Sequence, residues 1–212
     1  MSTRQEPILW IQLIGIGVIP LEVLLIKLIL AGATSGPIPS LERFLVVLIG
    51  IVLPTFLLFK RPADWGSLLL IKIPLKGRST IQHQISSFQK NSIPQLTFIA
   101  GSLFLILIFW KIDQSALLFL EISPFKESSR LITLLFSFPI LLLIVWQWHQ
   151  ICQSIWILTR SNEDLEKAKY LDNHQLAKGR INFGLDLFSL PKLKFSPSTT
   201  STAINVDQAT KK

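Results

Sequence analysis

Charge, cysteine and histidine are scarce in this chain, and each shortage removes a kind of chemistry. Only 16% of the 212 residues are charged, against roughly 25% in soluble domains. A single cysteine, Cys152, excludes an internal disulfide and a thiolate metal cluster. No HExxH, CxxC or carboxylate pair at ligand spacing surrounds His83, His149 or His174, and no glycine-rich loop is present to cradle a phosphate. These absences point away from catalysis and from any bound metal or cofactor. Four apolar runs and their connections leave no stretch long enough for a separate soluble catalytic domain.

What the chain has in quantity is hydrophobic surface. Half of its residues are hydrophobic (50%), and its mean hydropathy is +0.50. The apolar residues collect in four runs, 8–31, 41–59, 93–110 and 131–158. A helix needs about 20 residues to cross the hydrocarbon of a bilayer. The expected fold is therefore an all-α, four-span transmembrane bundle occupying 1–160. A polar and amphipathic segment follows at 161–195, then a Ser/Thr-rich, disordered low-complexity tail at 196–212. The first run is too long for a signal h-region and follows a single basic residue, so it is expected to remain as a span.

The net charge of +8 reads as a topology signal, not a nucleic-acid surface. Loop 60–92 holds Lys60, Arg61, Lys72, Lys76, Arg78 and Lys90 against one acid, Asp64, whereas 32–40 carries no charge. Positive residues favour the cytoplasmic side. Both termini and loop 60–92 are thus expected in the cytoplasm. Gly32, Gly36, Pro37 and Pro39 should break the first helix, Pro94 should open the third, and Pro20, Pro54 and Pro139 lie inside spans. The short apolar segments 65–75 and 115–122 either lie in the lipid interface or pack as loops on the bundle. On the first reading Trp65, Lys72, Lys76 and Arg78 meet the lipid surface, as Trp146, Trp148 and Trp156 do at the end of the last span. Ile181, Phe183, Leu185 and Leu187 alternate with polar or small residues, a weak strand signal.

Glu22 is the most anomalous residue, close to the middle of the first span. An ionised carboxylate there needs a partner or a proton. Lys27, five residues on, is outside the intrahelical pairing geometry. Ile8, Gln12, Gly15, Ile19, Glu22 and Ile26 form one helical stripe, and its amide, glycine and carboxyl group should face protein. Two readings remain open: a neutral Glu22 joining helices by hydrogen bonds, or a proton or ion relay. In the last span Gln147, Gln150 and Gln153 share a side with Ser154, while Trp148, His149, Cys152 and Trp156 share the other. His149 is a candidate ligand for a haem or chlorophyll. It sits where tryptophan belts are expected without one, and Cys152 reads as a packing residue.

At Glu6-Pro7-Ile8-Leu9-Trp10-Ile11-Gln12-Leu13, followed by Gly15 and Pro20-Leu21-Glu22, the chain resembles the cyanobacterial low-complexity tail membrane protein family. Arg61-Pro62 after the second span and the polar tail fit the same layout. The resemblance implies a thylakoid or plasma membrane of a photosynthetic prokaryote, and it transfers no activity or catalytic residue. The leading expectation is a non-enzymatic interaction protein, an accessory or assembly factor of a photosynthetic or respiratory membrane complex. Its expected partners are membrane lipids and other integral membrane proteins, with homo-oligomers open and nucleic acid excluded. The alternatives are a small transporter or channel using Glu22, and a pigment or haem carrier through His149.

Overall fold

The structure, a computed structural model, describes residues 6–31, 38–75, 78–89, 91–115, 125, 128–161, 163–164, 167–168 and 170–186. Four of its helices are long and apolar enough to cross a membrane: Pro7–Ala31, Pro39–Lys60, Ser92–Ser115 and Arg130–Leu158, here spans 1 to 4. The protein is an all-α polytopic membrane protein. Span 4 is central, packing against each of the other three. Ile26, Ile51, Phe98, Phe109, Leu141 and Ile144 anchor the apolar core between them. The turn expected at 32–37, the segment 116–122, Lys76, Leu187 and the tail 196–212 lie outside the described residues.

Local chemistry shapes each span. Span 1 is two helices, Pro7–Leu13 and Gly15–Ala31, with Pro20 inside the second. Pro39 does not break span 1; it takes the first turn of span 2, where its missing N–H costs nothing. Span 2 widens into a π-helical turn at Leu48–Val52, and the Leu53 amide donates to Leu48 O, five residues back. Pro54 follows, and the wider turn moves its ring away from the carbonyl it would otherwise strike.

Two glycines let spans cross closely. A Cβ on Gly50 would lie 3.2 Å from Leu141 Cδ1, and one on Gly101 would collide with the Trp148 indole. Trp148 lies against span 3 and donates its indole N–H to Phe98 O at 3.3 Å. Gly101→Ala should displace the indole, break that bond and lower bundle stability by about 1–3 kcal/mol, the usual cost of overpacking. Thermal unfolding in detergent measures it. Adding Trp148→Ala should make Gly101→Ala nearly silent, and an undiminished loss in the double variant would place the clash elsewhere.

Span 3 runs past the end expected at residue 110. Lys111 and Asp113 remain helical because Asp113 has partners on two other spans. Its carboxylate, 1% exposed, meets Arg43 of span 2 and Arg130 of span 4, each at 2.5 Å. Arg130 also reaches Glu42 at 3.4 Å, and the Arg43 guanidinium lies 4.6 Å from the centre of the Trp110 ring. This four-charge cluster ties spans 2, 3 and 4 together at one end.

The other end is capped. Residues 61–75, 78–89 and 170–186 fold over it together, joined through a parallel bridge between Ala63 and Ile181. Two-residue strands β1 (Ile71–Lys72) and β2 (Leu185–Asp186) also pair in parallel. Among the described residues, the period-two alternation after Arg180 is realised as these short pairings. Thr80–Ser87 is helical, started by a reciprocal cap in which Ser79 Oγ accepts from the Gln82 amide and Gln82 Oε1 from the Ser79 amide. Leu9, Trp65, Ile85 and Ile157 form the apolar seam between cap and bundle.

Segment 65–75 therefore packs on the bundle, and two residues placed at the lipid surface on sequence grounds are interior. Trp65 is fully buried, and Arg78 is buried beside it. The reason is satisfaction of their polar ends. The Trp65 indole donates to Ser86 Oγ at 2.9 Å, and Arg78 pairs with Asp64. Lys72 sits half-buried in β1.

Candidate functional site

A band of buried polar side chains lies where the cap meets spans 1 and 4. The stripe on span 1 faces span 4, with Gln12, Gly15, Glu22 and Ile26 all buried. A Cβ on Gly15 would stand 3.1 Å from Ile151 Cδ1 and 3.6 Å from Gln147 Oε1, so the glycine permits the close crossing that brings amide and carboxyl groups together.

Each polar group of the stripe meets a named partner. Gln12 donates from Nε2 to Trp65 O at 2.6 Å, and its Oε1 accepts from Ser154 Oγ. One amide thereby ties span 1 to the cap and to span 4. Gln150 donates to Asp64 O at 3.2 Å and to Ser67 O at 2.9 Å. Gln89 donates to Ala63 O at 3.0 Å and to Gln153 Oε1. Gln150 of span 4, with Gln12 and Gln89, thus serves the backbone of residues 63–67, whereas Gln147 reaches Glu22 and Gln153 reaches Gln89 and His149. Loop carbonyls in a buried setting need such donors.

A buried ion pair holds that backbone in place. Arg78 grips Asp64 with both terminal nitrogens, Nη1 to Oδ1 at 3.0 Å and Nη2 to Oδ2. Its guanidinium is 5.6 Å from the centre of the Trp65 ring. A Cβ on Gly66 would lie 2.5 Å from Arg78 Nη2, so only glycine leaves room for the pair. Arg180 closes the cap from the other segment, donating to Ser86 O at 2.8 Å. Burial pulls the Arg180 pKa down, and the Asp64 charge opposes that pull.

Glu22 accepts from Gln147 Nε2 at 2.8 Å, a bond from span 4 to span 1. Glu22 Oε2 and Gln147 Oε1 are both buried without a hydrogen-bond partner. Two acceptors cannot satisfy each other. A proton on Oε2 would make that oxygen a donor and remove the charge from the span.

His149 is 3% exposed, with Phe98 edge-on at 4.8 Å. Its Nε2 lies 3.1 Å from Gln153 Nε2. The amide is the donor, so the ring proton sits on Nδ1, which has no partner. Cys152 is buried in the apolar core. Trp146 is half-buried on span 4, and Trp156 carries the Arg160 guanidinium 3.7 Å from its ring centre. His83 takes a structural place in the cap, with Nδ1 2.8 Å from Leu171 O.

Sequence reasoning missed the Asp64–Arg78 pair, Gln89 and Arg180. One signal was visible: Asp64 is the only acid in a loop with six basic residues. An isolated acid in such a setting is a candidate for a specific partner.

The sequence model described as low-complexity tail membrane protein-like matches residues 5–192. No curated protein and no solved structure matches the chain.

Proposed function

Because the chain belongs to the low-complexity tail membrane protein-like family, a family described as membrane proteins, we propose that it is a non-enzymatic interaction protein. It holds a folded cap at one face of the membrane for an integral membrane complex to dock on. The observation that carries this reading is the use of the interior polar groups. Gln12, Gln150 and Ser154 bond the cap backbone or one another, closing the space between elements. A rigid, membrane-held cap built from two distant chain segments suits recognition. The cap is the basic side, with Lys60, Arg61 and Lys178 exposed, and so faces the cytoplasm. If the cyanobacterial resemblance holds, the complex is photosynthetic or respiratory and the membrane is thylakoid or plasma membrane. Crosslinking mass spectrometry on intact native membranes should return one reproducible integral partner linked to Lys60 or Lys178. A chain that crosslinks only to itself or to nothing would overturn the reading.

Orientation has its own test. With Cys152 replaced by alanine, a cysteine at Gly179, exposed and with open space around a Cβ, should be labelled by an impermeant reagent only after the membrane is opened. One at Ser40, exposed at the opposite end of the bundle, should be labelled from outside. The reverse pattern would invert the topology.

A relay through Glu22 is the second reading, favoured by the two unpartnered oxygens of the Glu22–Gln147 contact. The readings part on substitution. Glu22→Gln can form an amide–amide pair with Gln147, and for a structural group it should preserve stability and partner binding. Glu22→Leu should weaken helix association by about 0.6–2 kcal/mol. A relay needs a titratable group, so both variants would then fail equally in proton or ion flux. Partner binding and flux measured on both variants decide between them.

A further inference from the structure

Beside the cap, spans 2 and 4 stand apart and leave an apolar groove on the flank of the bundle. Pro54 and Leu57 form one wall and Pro139, Leu142 and Trp146 the other, with Leu69 and Phe183 of the cap across the end. The cap is built with some strain to reach this place. Leu69 has φ +69°, and the Leu70 amide donates back to Leu68 O at 2.9 Å, a tight γ-turn of the hand that side chains disfavour. The neighbouring side chains Leu70, Phe183 and Leu185 are 75%, 62% and 79% exposed. An apolar tongue from two distant segments thus continues the lipid-facing surface of spans 2 and 4.

One polar feature distinguishes this groove from ordinary lipid contact. Arg61 leaves the helix one turn below Leu57, its amide bonded to Leu57 O at 2.8 Å, and its side chain is exposed. An acyl chain followed by a phosphate matches an apolar channel with a cation one helical turn beyond its wall.

We infer that the groove between spans 2 and 4 is a binding site for one anionic glycerophospholipid. An acyl chain fills the channel between Leu57 and Leu142 above Leu69 and Phe183. The phosphate meets Arg61. The site fixes the cap against the leaflet through a lipid shared by bundle and tongue.

The test is native mass spectrometry of the protein released from nanodiscs holding equal phosphatidylglycerol and phosphatidylcholine. The wild type should retain one lipid, with phosphatidylglycerol favoured several-fold. Leu142→Trp fills the groove and should abolish the adduct, and Phe183→Ala removes its end wall and should reduce occupancy several-fold. Leu135→Trp, on the exposed face of the same span, should leave both unchanged. Arg61→Gln should keep the adduct and equalise the two lipids. A wild type that retains no lipid, retention unaltered by both Leu142→Trp and Phe183→Ala, or a headgroup preference indifferent to Arg61→Gln would overturn the site.

Discussion

Replacing Asp64 by leucine should unseat the cap and lower stability by about 3–5 kcal/mol, the usual cost of breaking a buried ion pair from one side. The expectation rests on what remains. Arg78 and Arg180 are each 8% exposed, and Asp64 supplies the charge that balances both. Without it two buried guanidiniums lose the acid whose charge acts on both. Arg78→Met should cost less, because Asp64 then keeps Arg180 as a nearby cation. Unfolding in detergent measures the ranking, and hydrogen exchange at the Trp65–Ile73 amides reports the cap separately from the spans. Asp64→Leu combined with Arg78→Met should lose less than the two single losses summed, since partners in one network couple. Equal stability of wild type and Asp64→Leu would show that the pair does not hold the cap.

The legibility of this fold follows the range of the forces that make it. Span positions were readable because burial in lipid acts on each run of about 20 residues alone. The Gln12–Gly15–Glu22 stripe was readable for a similar reason: helical period places its members on one face whatever lies opposite. Its partner was not. That Gln147 meets Glu22 depends on how spans 1 and 4 cross, across 125 residues of sequence. The cap was least legible. Trp65 sits in an apolar segment with lysine and arginine close behind, a pattern that fits the lipid interface. Its burial depends on Ser86, Leu9 and Ile157, brought together only once the bundle has formed.

The opposite end of the bundle repeats that lesson with charges. Arg43 and Glu42 lie within the second apolar run, and local sequence gives no sign that Asp113 stands opposite. Losing Asp113 should open this end by about 3–5 kcal/mol, again because a partner is removed from buried charges. Asp113→Asn would leave Arg43 and Arg130 facing each other, with Glu42 at 3.4 Å from Arg130 as the remaining acid. Arg130→Gln should be milder, since Arg43 still neutralises Asp113. It should also release Glu42. The helical extension past Trp110 depends on the same contacts, so Asp113→Asn should fray span 3 from Lys111 to Ser115 while residues 92–109 stay protected from hydrogen exchange. Solvent screening is weak where the carboxylate is 1% exposed, so added salt should recover little of the loss. If Asp113→Asn unfolds at the wild-type temperature with unchanged exchange at Lys111–Ser115, the cluster is a surface feature and spans 2, 3 and 4 are held by apolar packing alone.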